Sequence, residues 1–143
     1  YAGSQQGYGQ DYGQGYGQDM DQDYMYNYLA PYGNWIDMDN YGYVWIPRHM
    51  GYRWRPYSRG HWIMTDYGWT WMANEPWGSI PFHYGRWGYD DDFGWFWVPG
   101  NVWGPAWVSW RWGNQYAGWA PLPPGVSIVA WETIKTFRPR RRL

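Results

Sequence analysis

Tyr84-Gly85-Arg86-Trp87, leading to Asp92-Phe93-Gly94-Trp95-Phe96-Trp97-Val98, sets the pattern from which the architecture can be worked out. Two earlier stretches share its form. Tyr32-Gly33-Asn34-Trp35 leads to Asp39-Asn40-Tyr41-Gly42-Tyr43-Val44-Trp45-Ile46, and Gly60-His61-Trp62 leads to Asp66-Tyr67-Gly68-Trp69-Thr70-Trp71-Met72. Each copy reads Gly-x-Trp, a short gap, Asp, Gly, then aromatic-x-Trp. Gly33, Gly60 and Gly85 stand 27 and 25 residues apart, the signature of an internal repeat.

Each copy predicts a β-hairpin. Asp39, Asp66 and Asp92 are expected to bond back to the backbone in the turn, while Gly42, Gly68 and Gly94 supply its positive φ. Beyond the turn, Tyr43/Trp45, Trp69/Trp71 and Trp95/Trp97 fall at i, i+2 and so share one strand face. Val44/Ile46, Thr70/Met72 and Phe96/Val98 occupy the other. With both faces largely apolar, the strands are expected to be paired or covered. Prolines 47, 76, 81, 99 and 105 interrupt the links between copies, because proline has no ladder donor. A fourth hairpin is expected from residues 106–112 and 115–120 around Gly113-Asn114. A last strand is expected at 126–131. No segment combines a 3.6-residue apolar period with caps, so no long helix is expected. The fold class is all-β: repeated antiparallel hairpins forming a small sheet, sandwich or partly open barrel, with extended N- and C-terminal arms.

The 143 residues suffice for one domain with a modest core. Residues 1–28 form a low-complexity Gln/Gly/Tyr arm, 29–131 the aromatic repeat domain, and 132–143 a basic tail. The arm has too little apolar surface to order alone. Its Tyr8, Tyr12, Tyr16, Tyr24, Tyr26 and Tyr28 suit packing against a neighbouring copy. Net charge is −1, yet the first basic residue is Arg48, and Arg138, Arg140, Arg141 and Arg142 crowd the far end. That polarity reads either as two solvated, mobile ends or as head-to-tail complementarity between copies. Aromatics make up 25% of the chain, with 16 Trp. At about 150–250 Å² each, these Trp carry about 2,400–4,000 Å², so some rings are expected at contact surfaces.

Little in the chain points to catalysis. Cysteine is absent, which removes thiol nucleophiles and disulfides. His49, His61 and His83 have no metal-site spacing. Asp90-Asp91-Asp92 reads as a turn rather than a cation loop. Ser58, His61 and Asp66 lack a nucleophile elbow, and Glu75 and Glu132 sit in no motif. No phosphate-binding loop or dinucleotide fingerprint occurs. Arg53 and Arg55 are interleaved with Tyr52, Trp54 and Tyr57, a pattern that stacks single-stranded nucleic acid or clamps an acidic arm. The near-zero net charge favours the clamp. Mean hydropathy is −0.80, and no apolar run is long enough for a membrane-spanning helix. A chain opening on Tyr1 fits a processed, exported protein.

Residues 28–124 resemble the Tyr/Trp/Gly-repeat domain of unknown function found in exported bacterial proteins. The resemblance rests on Leu29-Ala30-Pro31-Tyr32-Gly33-Asn34-Trp35, Trp54-Arg55-Pro56-Tyr57, Pro76-Trp77-Gly78, His83-Tyr84-Gly85-Arg86-Trp87 and Gly118-Trp119-Ala120-Pro121-Leu122-Pro123-Pro124. It implies a bacterial origin and a secreted or cell-surface location, and no activity.

These readings lead to a structural subunit, not an enzyme, that self-assembles into an extracellular filament or matrix fibre. Its partners are other copies of the chain, without cofactor, nucleic acid or membrane span. Trp35, Trp45, Trp62, Trp69, Trp71, Trp87, Trp95 and Trp97 are expected to fill the core or the contact face. The alternative is a carbohydrate-binding module of the cell envelope, with polysaccharide as partner.

Overall fold

The computed structural model describes residues 20–126. Every repeat forms its hairpin. β1 (Gly33–Met38) pairs with β2 (Gly42–Pro47), β3 (Gly60–Thr65) with β4 (Gly68–Ala73), and β5 (Arg86–Asp90) with β6 (Gly94–Val98). The fourth hairpin joins β7 (Val108–Trp112) to β8 (Ala117–Pro121). The turn glycines take the positive φ expected of them, at 70° for Gly42, 97° for Gly68 and 74° for Gly94. The aspartate part of the expectation needs correcting. The turn bonds come from Asp90, whose Oδ1 accepts the amides of Asp92 and Phe93, and from Thr65, whose Oγ1 accepts that of Tyr67. These acceptors precede the aligned aspartates because the side chain must stand before the amides it caps.

Register explains why tryptophan occurs in both strands of each hairpin. Trp35 faces Trp45, Trp62 faces Trp71, Trp87 faces Trp97 and Trp110 faces Trp119. In the second strand of each repeat two consecutive residues are buried, so both faces are covered: Val44 and Trp45, Thr70 and Trp71, Phe96 and Trp97. The repeats are nevertheless not equivalent. The first and third join where Trp45 meets Trp97, giving a four-stranded sheet in the order β1-β2-β6-β5. The second repeat and the fourth hairpin remain two-stranded ribbons, and among the described residues no sheet closes into a barrel.

The glycine of Gly-x-Trp exists for the sake of the distant Trp. In the first repeat the Trp45 ring lies across Gly33, and its Nε1 donates to Leu29 O at 3.0 Å. In the third, Trp97 lies across Gly85 and donates to Tyr84 O at 2.8 Å. A Cβ on Gly85 would run into Val98 O and stand 2.8 Å from Trp97 Nε1. Around these rings the core is built from indoles meeting edge to face. Trp45 and Trp77 centroids lie 4.9 Å apart at 69°, and Trp54 and Trp87 5.5 Å apart at 67°. This geometry sets the positive ring edge against the negative ring face.

One helix precedes the sheet. α1 (Gln22–Leu29) begins at Asp21, whose carboxylate accepts the Asp23 amide at 3.0 Å. Met25 and Leu29, four apart, are buried against the core. Carbonyls at its far end are bonded from the domain: Trp45 takes Leu29 O, and Arg48 Nη2 takes Ala30 O and Pro31 O at 3.1 and 3.0 Å. For residues 20–28 this differs from the expected arm. The segment owes its order to its own domain, because two apolar side chains and a satisfied helix end suffice to dock it.

Gly42 and Gly85 share nearly the same φ, 70° and 68°, but a Cβ on Gly42 would meet nothing within 4 Å. Gly42→Ala is therefore expected to cost only the left-handed strain, about 1–2 kcal/mol. Gly85→Ala adds overlap with backbone and indole and is expected to cost at least about 3 kcal/mol. Urea denaturation of the two variants measures the difference; equal losses would contradict the role given to Gly85.

Candidate functional site

The β3–β4 and β7–β8 ribbons meet through rings rather than through a backbone ladder. Trp62 is the hub. Its centroid lies 5.0 Å from Trp71, 4.5 Å from Trp110 and 5.4 Å from Trp119. Trp110 in turn stacks on Trp112 at 5.1 Å and 15°. One indole of this group is anchored in the domain, Trp119 Nε1 donating to Tyr57 O at 2.8 Å. By contrast Trp62 Nε1 and Trp71 Nε1 are buried with no acceptor. The Trp71 ring crosses Gly60 as its counterparts cross Gly33 and Gly85, but it finds no carbonyl there. A buried donor left unpaired costs about 1–3 kcal/mol, a condition that Trp35 Nε1 on β1 of the four-stranded sheet shares.

Outward, the ribbons are apolar. Met64 and Trp69 face each other across β3 and β4 and are 60% and 44% exposed; Trp112 is 57% and Tyr116 80% exposed. No strand pairs beyond β3, β7 or β8 among the described residues. On β4 the outward amide of Trp71 is taken by Pro105 O at 3.0 Å. Two open ribbons faced with large apolar side chains therefore lie side by side.

The residues singled out from sequence divide between core and surface. Trp45, Trp71, Trp87 and Trp97 are core; Trp35, Trp62 and Trp95 are half-buried; Trp69 is exposed. Of the arm tyrosines, Tyr26 lies 4.1 Å from the Trp35 ring, and Tyr28 bonds Pro76 O and Ser79 Oγ at 3.1 and 3.2 Å. Tyr24 is exposed beside Tyr28. Tyr8, Tyr12 and Tyr16 lie outside the described residues, as do Arg138, Arg140, Arg141, Arg142 and all but Val126 of the strand expected at 126–131; Val126 itself is not in a strand. Arg53 and Arg55 are exposed, whereas Trp54 and Tyr57, interleaved with them in sequence, are buried. Trp54 donates to Glu75 Oε1 at 2.9 Å. Ser58 Oγ donates to Arg55 O at 2.6 Å. Among the described residues no three His, Asp or Glu side chains converge as a metal site would require.

A buried polar group around Tyr57 and His83 was not anticipated from the sequence. Tyr57 OH donates to Phe82 O at 2.9 Å and accepts the Trp107 amide at 3.2 Å. Burial raises its pKa well above the usual tyrosine value. His83 Nδ1 lies 2.9 Å from Gly104 O, and His83 O accepts Trp107 Nε1 at 2.9 Å. Burial holds the His83 imidazole below its ordinary pKa, partly offset by nearby backbone carbonyls. Arg86 lies over Trp107, its guanidinium carbon 3.9 Å from the ring centroid. In the sequence Tyr57, His83 and Arg86 stand within the quoted motifs Trp54-Arg55-Pro56-Tyr57 and His83-Tyr84-Gly85-Arg86-Trp87, but nothing there brings the two motifs together.

The chain belongs to the family described as "Family of unknown function (DUF6600)", whose pattern matches residues 26–126. That span runs from within α1 past the end of β8. No curated protein and no solved structure matches the chain.

His83 generates a pH prediction. Its folded pKa is depressed, so the unfolded chain takes the proton first, at about pH 6.5. Stability is then full above that pH and falls on acidification, by up to about 1.4 kcal/mol per pH unit until the folded pKa is reached. Urea titrations from neutral to mildly acid pH should show this slope in the wild type and not in His83→Gln. An equal slope in both would exclude His83 as the source.

Proposed function

We propose that the chain is a structural subunit that self-assembles into an extracellular filament or matrix fibre. The observation that carries this reading is the pair of open, apolar-faced ribbons, β3–β4 and β7–β8. A lone two-stranded ribbon is marginally stable in water. Unpaired ladder groups on its outer strand are a template for another strand. Here the edges stand beside Met64, Trp69, Trp112 and Tyr116, a concentration of exposed apolar surface that a second copy would cover.

The occupant proposed is the N-terminal segment of another copy. Residues 1–19 alternate Tyr with Gly, Gln and Asp, a composition suited to pairing along an edge with rings set between indoles. The sequence before Arg48 has no basic residue, while β7–β8 carries Arg111 and Arg59 immediately precedes β3. A contact between a segment of one copy and a ribbon of the next is heterologous, and it propagates as a fibre when its rotation does not close. Among the described residues no helix is long and apolar enough to cross a membrane. A bacterial, secreted location is part of the same proposal, drawn from the resemblance of the repeat domain.

Because α1 docks on its own domain, the informative truncation ends before Met20. Deleting residues 1–19 should leave a folded, monomeric protein, while the full chain sediments as large assemblies visible by negative-stain microscopy. Met64→Lys with Trp69→Lys, on exposed positions, should disrupt assembly with a change in folding stability of about 1 kcal/mol or less. Assemblies of unchanged size in both variants, or a strictly monomeric full chain, would overturn the proposal.

A further inference from the structure

We propose that the cleft beside Arg86 binds a carboxylate-bearing sugar, a hexuronate unit of an acidic polysaccharide. This site lies apart from the ribbons and does not depend on self-assembly. The cleft has a volume of about 400 Å³ and is lined by the β1–β2 turn, the β6–β7 loop, the start of β5 and the chain following β8. That volume is in the range of small-ligand clefts. Its walls are mostly apolar, with Val98, Pro99 and Trp107 among them, and Arg86 brings the positive charge.

The state of Arg86 indicates the ligand. Its guanidinium stacks on Trp107 at 3.9 Å, and Nη1 donates to Gly85 O at 3.1 Å. Nε is buried without an acceptor. Burial lowers its pKa, and the opposing influence comes from Tyr57, not from a carboxylate. Among the described residues no carboxylate is paired with it. An arginine held on an indole and partly withdrawn from water is the residue type that takes up an oxyanion in a planar, bonded geometry. A carboxylate entering the cleft would supply the missing counter-charge, with apolar walls strengthening the attraction.

The rest of the cleft favours a sugar. Asn40 and Asn101 place exposed carboxamides at its rim, able both to donate to and to accept from hydroxyl groups. Tyr41 offers a ring that is 42% exposed, braced by Phe96 at 5.5 Å. A flat ring beside hydroxyl-bonding amides and one fixed cation matches a pyranose that carries a carboxylate.

Titration calorimetry on the full chain tests this with three probes: glucuronate, glucose and inorganic phosphate. Glucuronate should bind at least about tenfold more tightly than glucose or phosphate. Arg86→Met should weaken glucuronate by about tenfold or more, and Asn101→Ala, at an exposed rim position, by about threefold or more. Asn101→Ala keeps the test decisive should Arg86→Met fail to fold. No heat with glucuronate, equal binding of glucose, equal binding of phosphate, or an unaltered affinity in Asn101→Ala would each overturn the assignment. Sedimentation without sugar reads self-assembly separately, so either proposal can fail alone.

Discussion

An indole laid across a glycine, with its N–H delivered to a backbone carbonyl, holds this structure together. A buried tryptophan brings a large apolar surface into the core, but its Nε1 is costly to leave without an acceptor. Trp45 and Trp97 find theirs in Leu29 O and Tyr84 O. To reach them the ring passes where a Cβ at residue 33 or 85 would stand. Gly and Trp are thus demanded together, twelve residues apart in both copies, and the intervening hairpin is the chain length that brings them into register. Trp54, Trp87 and Trp107 also deliver their N–H to buried acceptors, Glu75 Oε1, Pro81 O and His83 O. The aromatic core is therefore a hydrogen-bonded framework as well as an apolar one.

The second repeat shows the consequence of leaving that device incomplete. Trp71 crosses Gly60, but its Nε1 has no acceptor, and Thr70 stands where the other copies carry Val44 and Phe96. β4 takes no place in the four-stranded sheet, and its ribbon instead leans on β7–β8 through Trp62, Trp110 and Trp119. The first and third repeats share one four-stranded sheet, while each strand of the two ribbons has a single partner strand. The Arg86 cleft borders the third repeat's Trp-over-Gly pair, since Gly85 is in its lining.

The hairpins were legible in the sequence because both signals are local. Positive-φ glycine turns and i, i+2 aromatics depend on neighbours a few residues apart, and all three repeats folded as that pattern predicts. The pairing of the first with the third repeat was not legible, since it rests on Trp45 meeting Trp97 across a skipped copy. α1 was hidden because its Tyr, Asp and Gln composition resembles the low-complexity stretch before it; only Met25 and Leu29 mark its buried side. The placement of Arg86 on Trp107 joins residues from different hairpins, and no spacing rule announces such a contact. Asp90, not Asp92, caps its turn, a shift that alignment of the repeats conceals.

Hydrogen exchange of the indole N–H groups, followed by NMR, is the sharpest probe of this framework. Slow exchange is predicted for Trp45, Trp54, Trp87, Trp97 and Trp107, each buried and bonded to an acceptor, and fast exchange for the exposed Trp112. Exchange of Trp45 and Trp97 as fast as that of Trp112 would contradict it.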